Sequence, residues 1–219
     1  MKLTIAAIKR YTFDNDIADN NKGMNWWDRK TKIPTNNKRF MTIFTFFILD
    51  CPSSRKTGGS KNRDGSRQPI HYTNVSSRAS SFRVRGINKD LLSTIIAEIR
   101  RPMAKKGCYA ALTASESVEE NVRLIRSNSM LSDGDFELMV FRKRSDMSDA
   151  EAVYYYIRNA FAHGSFDVQS IRGSHVYRLE SKRRDDICAQ MRLKEQTLLS
   201  YIELASLKPG DIRSIRKKK

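Results

Sequence analysis

Arg158 and His163 are the two residues of this 219-residue chain whose types and spacing best suit a chemical reaction. Arginine is a permanent cation whose planar guanidinium matches the oxygens of a phosphate group. Histidine titrates near neutral pH and can accept or donate a proton. RNA carries its own nucleophile, the 2′-hydroxyl, so a proton carrier and a stabiliser for the charge on phosphorus suffice without a metal. The pair therefore points to a phosphodiester substrate.

A single helix is predicted to carry both residues. Ser148 and Glu151 have the spacing of a capping box, in which each side chain satisfies a free backbone amide of the other residue. Gly164 is the residue type at which helices commonly end. The pattern predicts a helix over residues 149–163, with His163 at its cap, where the ring can swing toward Arg158.

This helix has two unlike faces. Apolar residues at helical spacing predict a buried stripe: Val153, Ile157, Ala160 and Phe161. The other face carries Tyr155, Arg158, Asn159, Ala162 and His163. A solvated face is normally rich in Glu and Lys, and this one has neither in its last three turns, which favours an interface or a site. The ordinary alternative is that the arginine and the histidine only cap the helix end and interact with its dipole.

Residues 157–164, IRNAFAHG, resemble the signature of the HEPN superfamily, the higher eukaryotes and prokaryotes nucleotide-binding domains. That signature is an arginine, four to six residues and then a histidine, often with a polar residue after the arginine. Arg158, Asn159 and His163 match it. The resemblance covers about residues 86–208, and residues 1–85 resemble no family that we can name.

The resemblance implies a small helical bundle that commonly dimerises, with one composite active site built from the arginines and histidines of two protomers. It implies a metal-independent endoribonuclease that needs no cofactor and leaves a 2′,3′-cyclic phosphate and a 5′-hydroxyl. Arg158 and His163 are carried over as catalytic residues and Asn159 as a supporting polar group. Many relatives are toxins or antiphage-defence effectors, and others are non-catalytic modules that bind RNA or nucleotides or act as scaffolds.

The predicted fold class is therefore mainly α, a HEPN-like bundle with a β-hairpin after the motif helix and a less regular N-terminal extension. We expect residues 1–85 to form an N-terminal region of unknown type, with a flexible basic loop at 52–68. Residues 86–208 are expected to form the HEPN-like domain, and residues 209–219 a basic tail.

Other local patterns predict individual elements. Residues 40–49 form the most apolar run, which is too short to cross a membrane and favours a buried strand or core helix. Alternation over residues 175–180 and 187–193 predicts a hairpin, with one long helix over 186–206 as the competitor. Two further helices are predicted to begin near Asn88 and at Ser115 or Ser117. Trp26 and Trp27 are interpreted as a core anchor, with base stacking as the alternative.

The charge of the chain favours a polyanionic partner. Lys and Arg number 41 against 24 Asp and Glu, a formal net charge of +17, and mean hydropathy is −0.58. RNA is the expected partner, and an acidic antitoxin or regulatory protein is consistent with so basic a chain. Further RNA contacts are assigned to Tyr155, Lys182, Arg183 and Arg184. A DNA-binding regulator ranks lower because no helix-turn-helix or zinc pattern is present.

Cysteine usage and the N-terminus bear on location. Cys51, Cys108 and Cys188 are far apart and show no CxxC spacing, which disfavours a disulfide framework or a zinc site. Three scattered thiols fit a reducing compartment, and the start of the chain lacks a signal-peptide pattern. We therefore expect a cytoplasmic protein with no membrane partner and no bound metal.

Overall fold

The computed structural model describes residues 37–57, 71–74, 89–104, 106–127, 131 and 136–206. The Trp26–Trp27 pair, most of the 52–68 loop and the basic tail lie outside these residues. Elements in chain order are α1 (Lys38–Thr45), a π-helical turn (Phe46–Asp50), β1 (Ser54–Thr57), β2 (His71–Asn74), α2 (Lys89–Ala104), β3 (Tyr109–Leu112), α3 (Val118–Arg126), β4 (Leu138–Arg142), α4 (Asp149–Ala162), β5 (Phe166–Ile171), β6 (Ser174–Arg183), β7 (Asp186–Lys194) and α5 (Glu195–Ala205).

A five-stranded mixed sheet dominates the described fold. Its strand order is β3-β4-β7-β6-β5, with β3 parallel to β4 and every other neighbouring pair antiparallel. The prediction of a mainly α, HEPN-like bundle is therefore wrong, because the structure is an α/β fold. The hairpin at β6–β7 does form, with Arg183 paired to Asp186. This hairpin is part of the five-stranded sheet, whereas the prediction added it to a helical bundle.

Helices cover both faces of the sheet near β4. All four residues from Leu138 to Phe141 are buried, although alternate side chains of a strand point to opposite faces. Phe141 packs against Tyr156 of α4 on one face. On the other face Arg142 donates from Nε to the carbonyl of Glu116, the residue before the N-cap of α3. Strand β4 is thus the centre of a three-layer arrangement.

The N-terminal part of the described chain contributes to the same core. The apolar run at 40–49 is helical, and its aromatic side chains enter a cluster with α4, β5 and β6. Phe47 lies 5.6 Å from Phe161 between ring centroids, and Phe44 lies 6.0 Å from Phe166. Residues from both sides of the predicted boundary at 85/86 therefore pack together.

The predicted loop at 52–68 is only partly described. Ser54–Thr57 forms an antiparallel ladder with His71–Asn74, so the start of that segment is a strand and the loop prediction is wrong there. Its Ser, Lys and Arg composition suggested a loop, but backbone pairing with a distant segment outweighs local composition.

The two further helices that were predicted from local sequence signals are both present in the structure. Ser117 caps α3 by accepting a hydrogen bond from the amide of Glu120 at 3.2 Å. The helix with apolar positions Leu91, Ile95 and Ile99 is α2, which contains Pro102 in its last turn. No helix among the described residues is long and apolar enough to cross a membrane.

Candidate functional site

The motif helix α4 begins and ends at the predicted signals. Ser148 Oγ accepts from the amide of Glu151 at 3.3 Å, and Glu151 Oε2 accepts from the amide of Ser148 at 2.9 Å. At the other end His163 is the C-cap, and Gly164 takes a φ of +64°, which is unfavourable for residues with a Cβ. The position of His163 at the helix end is thus fixed by short-range hydrogen bonds.

Packing on two sides holds α4 in place. The helix lies on β6 and is covered by α2 and the π-helical turn. Phe161 anchors its C-terminal end, with its ring centroid 4.9 Å from that of Phe166. The backbone then turns into β5, and the carbonyl of Ser165 accepts from the amide of Glu180 at 2.9 Å. The predicted apolar stripe is buried throughout.

The polar face of α4 is also largely buried. Arg158 is 4% exposed, Asn159 5% and Ala162 3%, whereas Tyr155 and His163 are half-buried. Burial alone is therefore enough to explain why this face lacks Glu and Lys, whether or not it is also a site. Of the two candidate residues of the motif, Arg158 is buried and His163 is the more open.

Arg158 and His163 are electrostatic neighbours. Burial, and to a smaller extent the positive charge of Arg158, lowers the pKa of His163 from 6.5 to about 4. The imidazole is consequently neutral at neutral pH and can accept a proton, while Arg158 remains a cation. The two predicted residues thus lie close enough for the charge of Arg158 to act on His163, and Asn159 is adjacent to Arg158 on the same helix.

This neutral imidazole has a consequence for stability. The unfolded chain takes up a proton at His163 near pH 6.5, whereas the folded protein resists protonation until about pH 4. The contribution of neutral His163 to the free energy of unfolding is therefore fully present above pH 6.5. This contribution falls by about 3 kcal/mol as the pH drops from 6.5 to 4. We expect His163→Asn to lose less unfolding free energy than wild type between pH 7 and pH 4 in urea titrations. Equal losses in the two proteins would contradict the buried, neutral imidazole.

The residues predicted to make additional RNA contacts lie in two places. Tyr155 is on α4 beneath the Arg144 guanidinium, whose central carbon is 4.7 Å from the ring centroid. Lys182, Arg183 and Arg184 are at the β6–β7 hairpin, where Lys182 pairs with Glu180 at 3.1 Å and Arg183 and Arg184 are exposed. These four residues are thus not part of the buried Arg158–His163 centre.

A second polar cluster was not predicted from the sequence. The buried carboxylate of Glu195, the first residue of α5, lies 3.2 Å from His175 Nδ1 and 3.3 Å from the hydroxyl of Tyr177. Its other oxygen lies 3.6 Å from a guanidinium nitrogen of Arg39 in α1. The i, i+2 spacing of His175 and Tyr177 in a strand was the available signal, since it places both on one face. The cluster ties α1, β6 and α5 together.

No metal-binding group stands out where the chain is described. Among residues 37–57, 71–74, 89–104, 106–127, 131 and 136–206 no three His, Cys, Asp or Glu side chains are grouped for a metal ion. Arg158, His163 and Asn159 supply the candidate centre with a guanidinium, a neutral imidazole and an amide. These groups can hold an anion and move a proton.

Comparison with known proteins adds no relative. The chain matches no protein-family model, no curated protein and no solved structure.

Proposed function

We propose that the protein is a metal-independent endoribonuclease whose active centre is Arg158 and His163. One observation supports the proposal most: a buried arginine near the C-terminal end of α4 and a neutral histidine at its cap are electrostatic neighbours. A fixed cation and a proton acceptor are the two groups that cleavage by an internal 2′-hydroxyl requires. The net charge of +17 supports a polyanionic substrate.

The protonation state of His163 favours one role in the reaction. A neutral imidazole takes the proton of the 2′-hydroxyl, and the resulting oxygen attacks phosphorus while the bond to the 5′-oxygen breaks. Arg158 stabilises the negative charge on the non-bridging oxygens. The proton on His163 then passes to the departing 5′-oxygen, which regenerates the neutral imidazole. The products are a 2′,3′-cyclic phosphate and a 5′-hydroxyl, and Asn159 orients the phosphate or the imidazole.

Substrates with a blocked nucleophile test this mechanism. We expect purified protein to cleave single-stranded RNA in excess EDTA and to leave the same sequence intact when every 2′-oxygen is methylated. Gel separation of end-labelled oligonucleotides measures both. Equal cleavage of the methylated strand would show that an external nucleophile acts, and would remove the role assigned to the 2′-hydroxyl.

A non-catalytic RNA- or nucleotide-binding module is the second candidate. The near-complete burial of Arg158 and Asn159 favours it, because buried polar side chains often serve only to support a fold. Under this alternative, RNA binds in a salt-dependent manner and no product forms in the same assay.

The expected biological setting is a cytoplasmic toxin or defence effector. We propose a homodimer, with an acidic antitoxin or regulatory protein as a further partner for so basic a chain. Mixing Arg158→Lys and His163→Asn proteins tests a composite site, since activity would return in mixed dimers only if the two residues act across the interface.

A further inference from the structure

A preorganised flat surface lies beside the motif helix. The Arg144 guanidinium lies over the Tyr155 ring at 4.7 Å. Two hydrogen bonds of 2.9 Å from Nε and Nη2 to the carboxylate of Asp146 fix the guanidinium in that plane. The Arg144 side chain remains 32% exposed. Its charge is satisfied by Asp146, which leaves a planar group positioned for stacking.

Positive side chains converge around this surface. Arg142 pairs with Asp186 at the start of β7, which joins the end of β4 to the β6–β7 hairpin. The thiol of Cys188 lies between these segments. Burial raises its pKa most and Asp186 raises it further, while the charges of Arg142, Arg183 and Arg144 oppose that rise. The charges of the three arginines therefore all reach the thiol of Cys188.

Three cations at this end of the sheet are available to a ligand. Lys143, Arg183 and Arg184 are exposed, and none of them forms an ion pair with another described residue. Arg184 also takes a φ of +58° in the hairpin turn, a conformation that side chains other than Gly, Asn and Asp rarely adopt. Exposed, unneutralised cations are the groups that contact phosphates.

The surface shares the motif helix α4 with the proposed active centre. Tyr155 and Arg158 are three residues apart on α4, so they are neighbours on one side of the helix. A strand bound over Arg144 and Tyr155 thus lies one helical turn from the arginine of the motif.

We propose that Arg144 stacked on Tyr155, with Lys143, Arg183 and Arg184 around it, is a docking platform for single-stranded RNA. The choice of RNA rests on the proposed function. An unpaired base stacks on the outer side of the Arg144 guanidinium, and the flanking phosphates contact the three cations. Duplex RNA does not expose a base face for this stack, so the platform selects single strands.

Charge-neutralising variants test the phosphate contacts. The platform variant changes Lys143, Arg183 and Arg184 to Gln, and a matched control changes three exposed arginines elsewhere to Gln: Arg126, Arg172 and Arg178. Arg172, like Arg184, occupies a hairpin turn at positive φ, so the control reproduces the backbone effect. By fluorescence anisotropy at varied salt, we expect the platform variant to reduce the log–log salt slope by about 2 and the control to leave it unchanged. Equal effects of both variants would overturn the proposal.

Cys188 offers a local readout that needs no cleavage. Cys51 and Cys108 are buried, whereas Cys188 is half-buried, so alkylation of the native protein reports on Cys188. In His163→Asn protein, we expect a single-stranded RNA to slow alkylation of Cys188 at least several-fold and an RNA duplex to leave the rate unchanged. Unchanged alkylation under saturating single-stranded RNA would place the bound strand elsewhere and overturn the proposal.

The two proposals fail in different ways. If RNA protects Cys188 but no cleavage occurs, the platform stands and the endoribonuclease does not. If RNA is cleaved while platform and control variants bind it equally, the active centre stands and this docking site does not. Equal binding of single-stranded and duplex RNA overturns the stacking role of Arg144.

Discussion

Replacing either member of the Arg158–His163 pair is expected to lower RNA cleavage by about 10²- to 10⁴-fold. Such factors are typical of removing a general base or a group that stabilises transition-state charge. Lysine at 158 keeps the positive charge but loses the planar fork, and asparagine at 163 keeps a polar group but cannot titrate. Because the two residues act in one step, the double variant should be no slower than the worse single variant, within about tenfold.

The controls must separate chemistry from folding, because Arg158 is buried. Matched substitutions are available on β6, where Arg178→Lys and His175→Asn change exposed or half-exposed residues of the same types. We expect both control proteins to retain activity within about twofold. Thermal unfolding of all four variants shows whether each is folded at the assay temperature. Activity of Arg158→Lys and His163→Asn proteins equal to that of their controls would contradict the assigned roles.

The largest expected effect on stability is at Phe161. Its buried ring contacts Phe44, Phe47, Phe166 and Tyr177, with centroids 4.9 to 6.3 Å apart. Truncation to alanine removes the transfer free energy of the ring and leaves a cavity, so we expect Phe161→Ala to cost about 4 kcal/mol in urea unfolding. Leu124→Ala is the control, since Leu124 is 59% exposed and should change stability by less than about 0.5 kcal/mol.

A double-mutant cycle tests how the sheet contacts the motif helix. Phe161 belongs to the motif helix and Phe166 is the first residue of β5, so their contact joins the end of the helix to the start of the strand. We expect the Phe161→Leu and Phe166→Leu changes to show a coupling free energy of about 1 kcal/mol. Additive effects would contradict the packing of the start of β5 against the end of α4.

The motif helix was predictable because its signals are local. Ser148, Glu151 and Gly164 each act through neighbouring backbone groups, so their positions in the sequence are enough to set the helix ends. The sheet was not predictable from the same kind of signal. Strands β3 and β4 have four and five residues, too few for periodicity to separate strand from buried helix. Their parallel pairing brings together segments about 30 residues apart, which no local pattern records.

The candidate site was only half predictable. The spacing of Arg158 and His163 identified the pair, and the structure places them close enough for one charge to act on the other. The sequence could not indicate that Arg158, Asn159 and Ala162 on the polar face of α4 are buried, because a face without Glu or Lys fits a site and an interior equally well. The stacking of Arg144 on Tyr155 was missed because it joins a loop to a helix through tertiary packing.

The chemical ends of the RNA product test the central claim most directly. Wild-type protein is incubated with single-stranded RNA in EDTA, and the fragments are analysed by mass spectrometry. We expect 2′,3′-cyclic phosphate and 5′-hydroxyl ends. Fragments with 5′-phosphate ends, or cleavage that appears only when a divalent metal is added, would contradict metal-independent attack by the 2′-hydroxyl at Arg158 and His163.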